Sequence, residues 1–226
     1  MAKVTTASSP TIGQKLSGWL MDYGYAAYWM FRAVAGRGKP DLRLHPLTAP
    51  RSPVLLIPGV FESWRFMQPV AEHLFRDGRP VHVLDKLGYN TGAIPDMAAI
   101  AGDYIEREKL RDLTVIAHSK GGLIAKQVLG QTDALDRIRH VITINTPFSG
   151  SRYANLFLLS SVRMFGPSAP IIQALSSETA VNGRISSLYS VFDPHVPETG
   201  RLAGARNIVL PTVGHFRPLR PSTPCG

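Results

Sequence analysis

Residues 117–122 read AHSKGG, a serine between a histidine and a lysine, followed by two glycines. A serine hydroxyl becomes a competent nucleophile when a base takes its proton and a carboxylate orients that base. The pattern around Ser119 has one glycine fewer than G-x-S-x-G at the same spacing, the pattern that sets a serine on a sharp strand-to-helix turn. Ala117 stands at the first glycine position and Gly121 holds the last. On these six residues alone, a serine capping an ordinary helix is the competing reading.

The rest of the chain supplies partners for the nucleophile reading. Asp193 lies in SLYSVFDPHVP and His215 in VLPTVGHF, each just after a short apolar run. Reactive groups of a parallel sheet collect at the carboxyl ends of its strands, so Ser119, Asp193 and His215 would meet there. A covalent acyl intermediate also needs N–H donors for its oxyanion. The Lys120 N–H, at a helix start, is one candidate. The Val60 N–H in Pro58-Gly59-Val60-Phe61 is the other, with Gly59 letting the backbone come close to substrate. Asp85, after the run 81–84, is the alternative acid. His118 sits too close to Ser119 to reach back to its hydroxyl and reads as packing. His195 reads as rim and His140 as structural.

Six apolar runs must carry these groups: 53–57, 81–84, 113–117, 140–144, 187–191 and 207–210. Their lack of alternation suits strands buried on both faces. Helical patterns fall between them, at 66–77, 96–111 and 121–130. Alternating strand and helix implies one α/β domain, with a roughly six-stranded, mainly parallel sheet and helices on both faces. Residues 148–184 interrupt the rhythm with FLLSSVRMFG and APIIQALSS. They read either as a cap over an apolar site or as packed helices.

Residues 1–52 form an N-terminal helical extension and connector ahead of the domain at 53–226. Within it, Ile12, Leu16, Trp19, Leu20, Tyr23, Ala27, Met30 and Val34 recur at helical spacing. Asp22 and Arg32 interrupt the apolar run, which argues against a membrane span. The same residues speak for a helix packed on the domain or, through residues 11–36, lying on a membrane surface. Ala33-Val34-Ala35 resembles a signal-peptidase site and keeps secretion open beside a cytoplasmic or peripheral location. The net charge of +9 is scattered, with no basic run of the kind nucleic-acid binding needs. The single cysteine, Cys225, excludes an intrachain disulfide and a cysteine metal framework. The sequence carries no signal of oligomeric state.

The segments LLIPGVFES, VIAHSKGG, TINTPFSGS, SLYSVFDPHVP and LAGARNIVLPTVGH resemble the lipases of the α/β-hydrolase superfamily. They look most like the small bacterial lipases of the Bacillus lipase A type, which also carry alanine at the first position of the serine motif. The resemblance covers roughly residues 53–217. It implies Ser119 as nucleophile, His215 as base, Asp193 as its orienter, and Val60 and Lys120 N–H groups as the oxyanion hole. Pro58 departs from the family's frequent histidine. Lys120 departs from the usual methionine or glutamine and would place a cation beside the nucleophile. Gly59, Phe61, Trp64, Phe148 and the apolar residues of 148–184 are candidates for the substrate pocket. The implied activity is hydrolysis of lipid or other apolar acyl esters without metal or organic cofactor. Acyl transfer, thioester or amide cleavage, and a non-catalytic binding module are the rivals.

Overall fold

The computed structural model describes residues 10–35, 51–131, 136–156 and 160–220. Its centre is a six-stranded sheet in the order β2-β1-β3-β4-β5-β6, and every neighbouring pair is parallel. The strands are β1 (Val54–Ile57), β2 (Val81–Val83), β3 (Leu113–His118), β4 (Ile138–Ile144), β5 (Ile185–Phe192) and β6 (Arg206–Val213). Each overlaps one of the apolar runs.

The helices are α1 (Ile12–Ala35), α2 (Gln68–Arg76), α3 (Ile94–Arg107), α4 (Lys120–Leu129), α5 (Ser160–Arg163) and α6 (Pro170–Ser177). Proline opens α2, α3 and α6 within their first two positions. Its missing N–H is harmless there and its fixed φ suits the first turn.

Successive strand side chains point to opposite faces, and two cores result. Leu55, Ile57, Val115, Ala117 and Val141 pack against α3, α4 and α6. Val54, Leu56, Val81 and Ile144 pack with Phe66, Met67 and Ala71 on the other face, where Ala26 of α1 also lies.

The docking of α1 corrects the face expected from periodicity. Ile12, Leu16, Leu20 and Val34 are 60–78% exposed, whereas Gly18, Asp22 and Ala26 are the buried positions. The helix approaches β6 closely because Gly18 has no side chain. A Cβ there would lie 2.7 Å from Val213 Cβ and nearer still to its Cγ1. Backbone proximity, with a carboxylate at its centre, overrides the hydrophobic stripe. No helix among the described residues is long and apolar enough to cross a membrane.

Candidate active site

β3 runs directly into Ser119, and α4 starts one residue later. At the turn Ser119 adopts φ 50° and ψ −121°, a conformation costing a side-chain-bearing residue about 1–3 kcal/mol. It persists because Ser119 N–H donates to Ile144 O at 2.9 Å and Gly122 N–H donates to Ser119 O at 3.0 Å. Gly121 lets α4 begin against the end of β1. A Cβ there would sit 2.7 Å from Pro58 O and closer to Ile57 O. Ala117 is fully buried within the α3–α4 core, so a methyl group fits at that position.

β5 and β6 deliver Asp193 and His215. His215 Nδ1 donates to Asp193 Oδ2 at 2.7 Å. Asp193 Oδ1 accepts the N–H groups of His195 and Val196 at 2.8 and 3.2 Å. Burial alone would raise the Asp193 pKa, but the charge and hydrogen bond of His215 carry it below the usual carboxylate value. Burial alone would lower the His215 pKa, yet Asp193 raises it above that of a free imidazole. The alternative acid, Asp85, is exposed at the end of β2, and His215 pairs with Asp193 instead.

The backbone of His215 is held on both sides. Its N–H donates to Asp22 Oδ2 at 2.8 Å. Its carbonyl accepts from Asn145 Nδ2 at 2.8 Å and from His118 Nε2 at 3.1 Å. With Nδ1 occupied by Asp193, Nε2 is the ring nitrogen left for chemistry.

Ser119 and His215 open onto one cavity of about 610 Å³. Trp19, Tyr23 and Met30 of α1 form one wall. Val60, Phe61, Glu62 and Phe66 form another. Pro147, Ser151, Tyr153, Ala154, Val162 and Phe165 form a third, and Pro194, His195, Val196 and Phe216 complete it. The volume is typical of a small-molecule site, and the walls are mainly apolar.

Several expected wall residues lie elsewhere. Trp64 is buried with the Arg65 guanidinium over its ring, and Phe148 packs in the α3–α4 core beneath Lys126; neither reaches the cavity. Gly59 is set back from it as well. A Cβ on Gly59 would meet the Glu62 carboxyl carbon at 2.9 Å, so this glycine accommodates Glu62. Glu62 accepts the Gly59 N–H at 2.7 Å and thereby folds the loop that carries Val60. Phe61 adopts φ 61° in that loop and lines the cavity.

The Lys120 side chain does not stand beside Ser119 in the cavity as its place in the sequence suggested. It is fully buried and donates to Asn90 O at 2.7 Å and to Gly92 O. Asn90 Nδ2 in turn donates to Pro58 O at 2.7 Å. Lys120 thus ties the start of α4 to the Pro58–Val60 loop, and burial lowers its pKa to about 8. Its N–H lies in the first turn of α4, where no intrahelical acceptor exists.

Three histidines share the neighbourhood. His118 Nε2 faces a carbonyl and so carries a proton, while Nδ1 meets Glu62 Oε2 at 2.9 Å. His195 accepts or donates at 2.9 Å with the Tyr23 hydroxyl, and burial followed by the nearby His215 lowers its pKa to about 4. His140 bonds Ser186 Oγ away from the site. Asp193, His195 and His215 place one ligand atom each within 4.8 Å of the others. Asp193 Oδ2 pairs with His215 Nδ1, while His195 bonds Tyr23 through Nε2 and its Nδ1 has no hydrogen-bond partner among the described residues.

Sequence reasoning missed Asp22, Glu62 and Asn145. The available signal was a lone Asp in an apolar helix and a Glu within the Gly59 loop.

Residues 52–170 match the family model of the alpha/beta hydrolase fold. The chain belongs to that family. Among solved structures, this hydrolase is similar to the mature lipase BlEst2 of Bacillus licheniformis, with a TM-score of 0.64 and 16% identity over 77% of this chain and 90% of that one. An extracellular alpha/beta-hydrolase from a Paenibacillus species gives 0.52 and 19% identity, covering 74% of this chain and 92% of that one. A carboxylesterase of Nitrososphaera gargenis gives 0.55 and 13%, covering 74% and 84%. No curated protein matches the chain significantly. At these identities the likeness is one of fold, shared with lipases and esterases at large and not specific to the Bacillus lipase A type.

Proposed function

We propose that this hydrolase cleaves carboxylic esters with apolar acyl groups, using Ser119, His215 and Asp193 as its triad. The observation carrying this reading is that Ser119, on its strained turn, and His215, paired with Asp193, line one largely apolar cavity. Structural neighbours that are lipases and esterases support ester hydrolysis in general.

Ser119 Oγ attacks the ester carbonyl while His215 Nε2 takes its proton. Asp193 keeps the imidazole in the required tautomer and stabilises the imidazolium. The Lys120 and Val60 N–H groups receive the oxyanion. Collapse of the tetrahedral intermediate breaks the bond to the alcohol, which leaves with the proton from His215. Water then attacks the acyl-enzyme, giving its proton to His215, and the acid departs as Ser119 Oγ regains a proton. The walls from α1 and from Tyr153, Ala154, Val162 and Phe165 receive the acyl chain.

The expected location is a membrane surface, specifically an anionic bilayer. The exposed face of α1 carries Leu16, Leu20 and Phe31, and it adjoins Trp19, Tyr23 and Met30, which line the cavity. The net charge of +9 complements anionic headgroups.

A panel of p-nitrophenyl esters of increasing chain length tests the activity, with Ser119→Ala as control. Wild type should turn over and bind a fluorophosphonate covalently, and the variant should do neither. Absence of both in wild type refutes the reading. Sedimentation with phosphatidylglycerol vesicles tests the surface. The full chain carrying Leu20→Ser and Phe31→Ser should lose most of its binding, and undiminished binding would overturn the membrane assignment.

A further inference from the structure

The ionisable group closest to the His215 backbone comes from α1, outside the residues that match the family. Asp22 is fully buried. Its Oδ2 accepts the His215 N–H at 2.8 Å, and its Oδ1 accepts the N–H groups of Phe216 and Arg217, both at 2.8 Å. Gly214 precedes them with φ +125°, and a Cβ there would stand 2.8 Å from Asp22 Cβ and nearer to the carboxylate. On the same helix, the tight approach of Gly18 to Val213 sets the distance of α1 from the end of β6.

We infer that Asp22 is a positioning residue for the catalytic histidine. Its carboxylate gathers three consecutive N–H groups and sets where the His215 ring stands between Asp193 and Ser119. Carboxylates accept such bonds strongly, and charge-assisted bonds are about twice as strong as neutral ones. The clamp works with Asn145 and His118, which hold the His215 carbonyl from the opposite side. One helix therefore both walls the cavity through Trp19 and Tyr23 and sets the base through Asp22.

The charge of Asp22 also acts on the ring. Burial lowers the His215 pKa, Asp193 more than reverses this, and Glu62 and Asp22 add in the upward direction. His195 and His118 are the other titratable groups packed on the ring, at centroid distances of 4.8 Å each.

The inference rests on the ester-hydrolase reading, and the experiment separates the two. Asp22→Asn keeps one acceptor oxygen and the side-chain volume but removes the charge and the second acceptor. The His215 imidazole is titrated by NMR with ¹⁵N-histidine, which needs no substrate, and p-nitrophenyl butyrate kinetics are measured in parallel. The expected result is a lower His215 pKa and a kcat reduced about 10- to 100-fold, with KM changed less than about threefold. Folded Asp22→Asn with wild-type His215 titration overturns the inference. So does a kcat loss that follows only the loss of folded protein. Should Asp22→Asn not fold, Gly18→Ala asks the same question with the carboxylate intact by lifting α1 from β6. A similar kcat loss in folded protein supports the clamp, and unchanged kcat overturns it. A wild type without esterase activity refutes the proposed function and leaves the His215 titration as the test of Asp22.

Discussion

Gly121→Ala is the sharpest perturbation of the site, because one methyl group would separate the two sides of the proposed oxyanion hole. The added Cβ stands 2.7 Å from Pro58 O, with Ile57 O nearer still. Heavy atoms in ordinary contact sit at about 3.5 Å, so the start of α4 and the end of β1 must part by about 0.8–1.3 Å. Both neighbours are backbone, and no rotamer change relieves them. The Lys120 N–H moves with α4 and the Val60 N–H with the loop after β1. A misplacement of about 1 Å costs on the order of 10²-fold in rate, and loss of one oxyanion donor about 10²–10³-fold. The expected outcome is a kcat reduced about 10²–10³-fold, a KM close to wild type and a stability loss of about 1–3 kcal/mol from overpacking. Steady-state turnover of p-nitrophenyl butyrate and a urea melt measure the two effects. Gly122→Ala provides the contrast, since its Cβ would meet chiefly the Thr146 side chain. Thr146→Ala should therefore restore much of the activity lost in Gly122→Ala, while no side-chain change rescues Gly121→Ala. A Gly121→Ala enzyme with kcat within about threefold of wild type would refute the reasoning.

Other outcomes follow from the same geometry. His215 must be neutral to accept the Ser119 proton, and its pKa is raised, so the acid limb of kcat/KM should lie above the imidazole value of 6.5. Asp193→Asn should move that limb down and reduce kcat by about 10⁴-fold, measured in folded protein across pH 5–9. Lys126 is buried, its Nζ has no hydrogen-bond partner among the described residues, and burial, only partly offset by Glu178, lowers its pKa to about 8. Lys126→Met should then stabilise the protein near pH 7 by about 1–3 kcal/mol in urea melts. Between pH 8 and 10.5 the unfolded lysine keeps a proton that the native one has lost, so wild-type stability rises there and the advantage of Lys126→Met should shrink. A constant or growing advantage through that window would contradict the burial penalty.

The sheet was legible from sequence because its strands overlap short apolar runs with helical patterns between them. That Ser119, Asp193 and His215 each follow a strand was legible for a related reason, since a parallel sheet brings the carboxyl ends of its strands to one edge. These are local patterns with one geometric consequence. The direction of a side chain depends on what packs around it, and there local pattern ran out. Lys120 adjoins Ser119 in sequence, yet its side chain turns inward to the carbonyls of Asn90 and Gly92. Trp64 and Phe148 are apolar residues near the motifs, but they fill the core and leave the wall to Tyr153, Val162 and Phe165. Asp22 looked like a blemish in an apolar helix. Helical periodicity reports which residues share a face and is silent on which face docks. The docked face of α1 was decided by the close approach of Gly18 to β6 and by three N–H groups that needed a carboxylate. Those partners lie nearly two hundred residues away in sequence, and only the folded chain sets them against the helix.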